Sequence, residues 1–369
     1  MTAAQQIIIL TPGFPADEHD TSCIPALQDL VLAWKEAFPG VTIRVITFQY
    51  PHKSKSYTWH NIPVYAAGGS DKAGFRKLIT WMKVWWQLLR IKRKKQTLLL
   101  SYFLTEATYA GQLFSQFIHI QHIAIAAGQD VKTENAYLRR LNFKKLIVVV
   151  FNERMNDELI RSTGKKADAI IPMGSFIPSS ISGVHHHRPI DVLMVGSLIP
   201  LKQVDKAINI IAALKKDFPN LRTEIIGKGS ERTTLEHLVN QLDLSTSILF
   251  TGAIHREAVA AKMMNAKILL HTSVYEGQST VISEALSYGM YVVCFDVGRI
   301  TDHQKIKVCT DENGLLNALK EILSSREMDF NPVLPFTMQE TVAAYATLFQ
   351  SALSSKNTLN TVIRSDKSF

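Results

Sequence analysis

The sequence predicts an α/β protein made of two Rossmann-like, doubly wound domains. Short apolar strands alternate with amphipathic helices along most of the chain, a pattern typical of parallel sheets with crossover helices. A segment rich in Pro, Ser, Gly and His at 172–189 interrupts the alternation, which then starts again. The length of 369 residues is sufficient for two domains.

The first domain is expected at 1–175. The β-branched run 7–10, followed by Pro and Gly, predicts a buried strand that ends in a loop. Apolar residues at helical spacing predict a helix over 25–38. Further strands are predicted at 41–48, 97–100, 120–126 and 146–150, with helical stretches between them.

The second domain is expected at 190–335. The predicted strands are 191–196, 222–227, 248–252, 267–271 and 291–295, and the predicted helices are 204–215, 232–241, 258–264 and 280–288. Residues 336–369 are expected to form a helix that packs back on the first domain, followed by a tail. Doubly wound sheets bind ligands at the carboxyl ends of their strands, which places the predicted site in the cleft.

Composition excludes several other classes of protein. Hydrophobic residues make up 46% and charged residues 20% of the chain, which is ordinary for a globular protein and excludes wholesale disorder. The 3 cysteines are far apart, which excludes a disulfide scaffold or a zinc ribbon and favours a reducing compartment. No apolar stretch approaches the roughly 18 to 20 residues that span a bilayer. We therefore expect a cytoplasmic protein, with a peripheral position at the inner face of the membrane if its basic segment binds lipid.

Positive charge is concentrated in that one segment. The chain has 41 Lys and Arg against 32 Asp and Glu, which gives a net charge of +9. Between Lys72 and Thr105 there is no acidic residue, and basic and acidic residues balance at 32 each elsewhere. The basic residues of the segment are Lys72, Arg76, Lys77, Lys83, Arg90, Lys92, Arg93, Lys94 and Lys95. A patch of this kind is typical of a surface that binds phosphates.

The same segment is amphipathic. Over 75–95 polar residues recur every three or four positions, and the rest of the predicted helix is apolar and carries three of the 5 tryptophans. Packing against a sheet accounts for part of this pattern. Uncompensated basic charge beside tryptophan is typical of membrane interfaces, so we expect helix 75–95 to bind an anionic membrane surface. Nucleic acid is not expected as a partner, because its binding needs basic residues spread over a groove with aromatic platforms.

The most specific pattern lies at 273–293. Gly277 allows a ligand to approach the backbone closely, and Ser279 and Thr280 open a predicted helix whose free N–H groups suit a phosphate or diphosphate. Glu276 precedes this site, and Glu284 follows inside the helix with seven residues between the two. Ionised carboxylates accept several hydrogen bonds, which suits the hydroxyl groups of sugars.

This segment resembles the Glu–seven residues–Glu motif of retaining glycosyltransferases with the GT-B fold, notably glycosyltransferase family 4. The second domain also resembles that family at the phosphate loop 195–202, the second glycine loop 226–230 and the strand end 250–254. The likeness in the first domain is looser, at 12–15, 128–130 and 171–174. It implies the GT-B architecture, in which two Rossmann-like domains face a cleft, with the acceptor on the first domain and the donor on the second.

The resemblance also implies roles for single residues. Lys202 would neutralise the donor diphosphate and Glu276 would contact the donor sugar, which makes these two the candidate catalytic residues; Glu284 would hold the ribose hydroxyls. The candidate donor-binding residues are Gly13, Gly196, Ser197, Gly227, Lys228, Gly252, Gly277, Gln278, Ser279, Thr280 and Glu284. The weaker acceptor-side candidates are Asp20, Glu106, Gln129 and Asp130. Asp20 and Asp130 fit a turn or helix cap equally well, and Glu106 fits a helix start.

The implied activity transfers a sugar from a nucleotide-activated donor to a glycan or lipid-linked acceptor in cell-surface polysaccharide synthesis. No metal or other cofactor is expected, because no Asp-x-Asp stands beside a strand end and a cation with a helix terminus can hold the diphosphate.

Four positions depart from the family pattern: Ser197 for an Arg, Gln278 for an aromatic residue, Arg299 in a Gly-Gly pair and Ala127 for a His. Lys228 or Arg232 are candidates for the missing cation. The departures leave an alternative open, a degenerate GT-B protein that binds a sugar nucleotide or a partner without turnover. A sugar-nucleotide epimerase is a second alternative, which the two-glutamate motif disfavours.

Overall fold

The computed structural model describes residues 4–71, 74–176, 187–297 and 304–354. The chain divides into two compact units, with boundaries between Met173 and Gly174 and between Thr337 and Met338. The first unit therefore contains the N-terminal half of the chain together with the final helix, and the second unit contains the segment between them.

An eight-stranded sheet forms the centre of the first unit. Its strands are β1 (Gln6–Gly13), β2 (Thr42–Tyr50), β3 (Lys55–Trp59), β4 (Ile62–Ala66), β5 (Thr97–Tyr102), β6 (Gln121–Ile125), β7 (Ile147–Val150) and β8 (Ala169–Ile170). They are arranged in the order β3-β4-β2-β1-β5-β6-β7-β8. The β3–β4 pair is antiparallel, and the other described pairs are parallel.

Helices cover both faces of this sheet. The helices of this part of the chain are α1 (Pro25–Ala37), α2 (Phe75–Arg90), α3 (Glu106–Ile118) and α4 (Glu153–Thr163). Successive β1 side chains point to opposite faces: Ile7 and Ile9 join the core with α1 and α4, and Ile8 and Leu10 join the core with α2 and α3. Both faces are thus buried, which explains why the strand is uniformly apolar.

The second unit has a six-stranded parallel sheet in the order β11-β10-β9-β12-β13-β14. The strands are β9 (Ile190–Val195), β10 (Thr223–Ile226), β11 (Ile248–Gly252), β12 (Ala266–His271), β13 (Tyr291–Phe295) and β14 (Ile306–Cys309). The helices are α5 (Val204–Leu214), α6 (Arg232–Gln241), α7 (Arg256–Met264), α8 (Thr280–Ser287) and α9 (Glu312–Leu323). α5, α6 and α9 pack on one face, and α7 and α8 pack on the other.

The last described helix, α10 (Met338–Ser354), packs in the first unit. The ring of Trp34 on α1 lies 5.0 Å from that of Tyr345 and 5.4 Å from that of Phe349, centroid to centroid. The Thr341 hydroxyl donates to the carbonyl of Pro172 at 2.8 Å. Helix α10 therefore completes the core on the α1 side of the first sheet.

The prediction of two doubly wound α/β units is confirmed. The predicted elements 232–241, 248–252 and 291–295 coincide with α6, β11 and β13. The hairpin β3–β4 and the short edge strands β8 and β14 were not predicted. No helix within the described ranges combines the length and apolar character needed to cross a membrane.

The prediction of one helix over 75–95 is wrong at its C-terminal end. Helix α2 ends at Arg90, and Ile91 is extended, with φ −69° and ψ 118°. The Lys94 N–H donates to Gln6 Oε1 at 3.3 Å and to Thr97 Oγ1 at 3.1 Å. These bonds draw the backbone of 92–95 towards β5, so it cannot continue the helix.

Candidate functional site

The candidate site of the second unit lies at the carboxyl ends of its central strands. β9 lies between β10 and β12, so the loops that follow these three parallel strands meet at one edge of the sheet. They line a pocket of about 280 Å³ whose walls include Gly196, Ser197, Lys202 and His271.

Two glycine loops contact each other beside this pocket. Gly227 has a φ of 148°, and a Cβ atom at this position would lie 1.8 Å from the carbonyl oxygen of Gly196. The Leu198 N–H donates to the Lys228 carbonyl at 2.9 Å. Only glycine fits at 227, because any side chain would displace the loop after β9.

Lys202 is positioned by the backbone around it. It closes the 3-10 turn Pro200–Lys202 that follows β9. The Thr272 hydroxyl donates to the Lys202 carbonyl at 2.8 Å, and the Val274 N–H donates to the Leu201 carbonyl at 3.0 Å. The loop after β12, which leads to Glu276, is thereby fixed to the turn that carries Lys202.

The structure brings together the two candidate catalytic residues. Lys202 Nζ donates to Glu276 Oε1 in a short ion pair, and His271 Nε2 lies 3.4 Å from the same oxygen. Burial acts to raise the pKa of Glu276, but the hydrogen bond from His271 and the charge of Lys202 outweigh it and lower this pKa to about 2. Glu276 is therefore ionised at neutral pH, although its side chain is only 18% exposed.

The start of α8 adds a second positive element. Thr280 is its first residue, as predicted, and Ser279 occupies the N-cap position. The Ser279 hydroxyl lies 3.3 Å from His271 Nε2, which places this helix start beside the Lys202–Glu276 pair. Gly277 is buried and Gln278 partly exposed. A lysine beside a helix N-terminus is an arrangement that can hold a phosphate or diphosphate.

Glu284 lies within the same helix and contacts a further cation. Its carboxylate is 3.8 Å from the guanidinium of Arg256, the first residue of α7. The Glu284 side chain is partly exposed.

The two candidates for the cation absent at position 197 differ in their surroundings. Arg232 lies 4.8 Å from the ring centroid of Phe250 and donates to Glu236 Oε1 at 2.5 Å. A Cβ at Gly252, where φ is 76°, would lie 4.0 Å from Arg232. Lys228 and Ser197 are exposed beside the glycine loops. Lys228 is the more available cation, because Arg232 already has an acidic partner.

Asp130 holds two loops of the first unit together. It is buried, and its carboxylate accepts hydrogen bonds from the backbone N–H groups of Leu104 and Gly128, both at 2.7 Å. Burial raises the pKa of Asp130 and these backbone bonds oppose the rise. The neighbouring Gln129 is exposed. The structure thus gives Asp130 a loop-positioning role.

Glu106 is also engaged within the first unit. It begins α3, is buried, accepts from Gln49 Nε2 at 2.7 Å and from the indole N–H of Trp81, and lies 3.7 Å from Lys77 Nζ. These contacts tie α2 to α3 and β2.

The loop after β1 contains Asp20, whose carboxylate accepts from the Tyr50 hydroxyl at 2.8 Å and from the Ala16 N–H at 3.1 Å. Burial acts to raise the pKa of Asp20, but these hydrogen bonds outweigh it and lower the pKa. Gly13 ends β1, and a Cβ there would lie 3.2 Å from Cys23 Sγ. Asp20 is partly exposed, so one side of this loop is open.

Sequence reasoning missed His271 and Arg256. His271 ends an otherwise apolar buried strand, and a polar residue at that position is a signal that could have singled it out. Arg256 has no local signal, because only the fold brings α7 beside α8. The Gly298–Arg299 departure lies outside the described residues. Among the described residues, no three His, Cys, Asp or Glu side chains come together as metal ligands would.

The fold and the site geometry define a class of protein. The chain is similar to HepE of Anabaena in a crystal structure with UDP and glucose, with a TM-score of 0.65 and 17% identity over 95% of this chain and 96% of HepE. It is also similar to the pneumococcal O-GlcNAc transferase GtfA in a structure with UDP and GlcNAc, with a TM-score of 0.59 and 16% identity over 82% and 70% of the two chains. The fold is the GT-B fold of these glycosyltransferases, and this prediction is confirmed.

The second unit carries the more particular match. Residues 180–329 match the family model of glycosyl transferases group 1. One component of the phosphatidylinositol N-acetylglucosaminyltransferase of Homo sapiens is 27% identical over 161 residues, which are 42% of this chain and 33% of the human protein. The chain therefore spans about a third of the length of this curated relative.

Proposed function

We propose that the protein is a retaining, metal-independent glycosyltransferase that moves a sugar from a nucleotide-activated donor to a glycan or lipid-linked acceptor in cell-surface polysaccharide synthesis. The observation that carries this proposal is the Lys202–Glu276 pair with His271, at the strand ends of the unit that matches glycosyl transferases group 1. The structures of HepE and GtfA contain UDP, which supports a uridine diphosphate sugar as the first donor to test.

The donor diphosphate would bind between Lys202 and the N-terminus of α8. Lys202 would then exchange its contact with Glu276 for the diphosphate, while Glu276 turns to the hydroxyl groups of the donor sugar. Glu284 would accept hydrogen bonds from the ribose, and the exposed Lys228 would add positive charge near the diphosphate. This division of roles is supported by charge, because the anion receives the cations and the hydroxyl groups receive carboxylates.

Lys202 would act on the transition state more than on the bound donor. When the bond between the anomeric carbon and the diphosphate oxygen breaks, negative charge grows on the leaving diphosphate, and a fixed cation stabilises this charge. The acceptor oxygen forms its bond to the anomeric carbon on the same face, and its proton passes to the leaving diphosphate. No protein base is needed in this scheme, which suits a site in which Glu276 is held ionised by its neighbours.

A nucleotide-sugar assay tests the function. The protein is incubated with a panel that begins with UDP-glucose and UDP-N-acetylglucosamine, and release of nucleoside diphosphate is measured with and without candidate acceptors. Release above the rate of a Lys202→Ala, Glu276→Gln double variant supports transfer. Donor binding by calorimetry without any release would favour the degenerate GT-B alternative that Ser197 motivates, and conversion of one sugar nucleotide into another would favour an epimerase.

Metal independence is a separate prediction. Lys202 and the helix terminus supply the positive charge that a divalent cation would otherwise supply, so we expect activity to be unchanged after treatment with EDTA. The same preparation with added manganese serves as the control. Loss of activity in EDTA that manganese restores would contradict the prediction.

A further inference from the structure

The solvent side of helix α2 is apolar. Five of its side chains are more than half exposed, and they are Phe75, Leu78, Met82, Trp86 and Leu89. Their spacing of three or four residues places them in one stripe along the helix. The opposite face, with Thr80, Val84 and Leu88, is buried against the sheet. The exposed apolar residues are thus additional to those that the fold requires.

Helix α3 widens this stripe. Trp81 of α2 contacts Tyr109 of α3, with ring centroids 5.7 Å apart. Leu113 and Phe117 follow Tyr109 at intervals of four residues and therefore lie on the same side of α3 as Tyr109, towards α2. Both side chains are exposed. We call these seven exposed side chains of α2 and α3 the apolar stripe.

Basic residues border the apolar stripe. Arg76 and Arg90 lie on α2, and Lys92, Arg93 and Lys95 follow its C-terminal end. All five are exposed, and within the described ranges none of them is paired with a carboxylate. The guanidinium of Arg90 lies 4.2 Å from the ring centroid of Trp86. The surface therefore combines aromatic and aliphatic side chains with uncompensated positive charge.

We propose that the apolar stripe and its basic border dock on an anionic lipid bilayer. A 16-residue helix is about 24 Å long and can lie in the plane of the interface with its apolar side among the acyl chains. The cations at its edge and end would then face the lipid phosphates. A second copy of the chain is the poorer occupant, because a twofold contact through this stripe would bring two sets of unpaired cations together.

Vesicle binding tests the proposal without donor or acceptor, so its outcome is independent of the proposed function. We expect the wild-type chain to co-sediment with vesicles of phosphatidylglycerol and phosphatidylcholine, and not with phosphatidylcholine alone. Binding should fall between 0.1 M and 1 M salt, as the Debye length shrinks from about 10 Å to about 3 Å. The fluorescence of Trp86 should shift to the blue on binding, and the Trp86→Phe variant should lose that shift.

Two variants separate charge from apolar contact. Reversal of Lys92, Arg93 and Lys95 to Glu should weaken binding by more than about 100-fold, since each basic residue near such a surface contributes about five-fold. Lys94 is left unchanged because its Nζ donates to Thr42 Oγ1 at 2.8 Å. The matched control reverses Lys144, Lys165 and Lys166, which are exposed elsewhere in the first unit. Replacement of Leu78, Met82 and Leu89 by Gln should abolish binding, with an unchanged circular dichroism spectrum.

Three results would overturn the proposal. The first is a wild-type chain that ignores anionic vesicles at low salt. The second is an equal loss of binding in the control reversal, which would show that net charge and not this surface is responsible. The third is a wild-type dimer in sedimentation equilibrium that the Gln variant converts to monomer, because the stripe would then be a contact between two copies.

Discussion

Lys202 stands between two negative charges, the Glu276 carboxylate that it contacts in the structure and the diphosphate that we propose it binds. Because charge on the diphosphate grows as the glycosidic bond breaks, Lys202→Ala should lower kcat by about 100- to 1,000-fold and weaken donor binding much less. Steady-state kinetics and calorimetry measure the two effects. Lys206→Ala is the control, since Lys206 lies on α5 and pairs with Glu312 at 3.4 Å. An unchanged kcat would remove Lys202 from the mechanism.

The carboxylate of Glu276 should remain ionised in moderate acid. With a pKa of about 2, about 1% of it is protonated at pH 4, whereas most of an ordinary glutamate is protonated there. Carbon-13 NMR of glutamate-labelled protein should show one carboxyl signal that does not move between pH 7 and pH 4 and that is missing in Glu276→Gln. Because the pKa is lower in the folded than in the unfolded state, this group favours folding above about pH 4.5, and the contribution is lost as the pH falls towards 2. A signal that titrates near pH 4.5 would contradict the ion pair.

The residues that sequence reasoning could reach share a local signal. Lys202 follows a glycine loop and Glu276 precedes a helix start, so spacing alone drew attention to both. His271 acts through contacts with Glu276 and Ser279, which depend on how a loop folds back on its own strand. Glu106 shows the opposite case: its position before a helix suggested a cap or an acceptor contact, whereas burial and three partners give it a structural role.

The contact between the two glycine loops is a property of the elements β9 and β10. A methyl group at Gly227 would lie 1.8 Å from the Gly196 carbonyl, so Gly227→Ala must push the loop after β9 away from the pocket. We expect a loss of donor binding of at least 10-fold together with a lower unfolding temperature. Gly40→Ala is the matched control, because nothing lies within 4 Å of a Cβ at that position. Normal donor binding by Gly227→Ala would show that the two loops do not shape the site.

Helix α2 shows what periodicity predicts and what it leaves open. Its pattern predicts an amphipathic helix but does not specify which side faces the sheet. The structure buries Thr80 from the predicted polar stripe and exposes Met82 and Trp86 from the apolar surface. The choice depends on the neighbouring α3, whose Phe114 lies 5.9 Å from Trp85, centroid to centroid. The β3–β4 hairpin escaped prediction for a related reason, since its outer strand is mostly exposed and lacks an apolar run.

At the scale of the whole molecule, the two units follow from the interruption at 172–189 and the second series of strands after it. The return of the chain to the first unit at Met338 has a weaker signal. An amphipathic helix at the end of a chain shows that it must pack on something, but the sequence does not specify the surface. The contacts of Trp34 with Tyr345 and Phe349 supply that answer.

The final helix should therefore stabilise the first unit. Phe349 is fully buried in the core that includes Trp34 and Phe38, so Phe349→Ala should destabilise this unit by about 3 to 5 kcal/mol. The second unit has its own cores, and nucleotide binding by calorimetry at low temperature should be unchanged. Scanning calorimetry with and without UDP separates the units, because the ligand should raise only the transition of the unit that binds it. Phe117→Ala removes an exposed phenyl group and should change stability by less than about 0.5 kcal/mol. If Phe349→Ala weakened nucleotide binding as strongly as it destabilised the first unit, the donor site would depend on α10, and the two units could not be treated as independent cores.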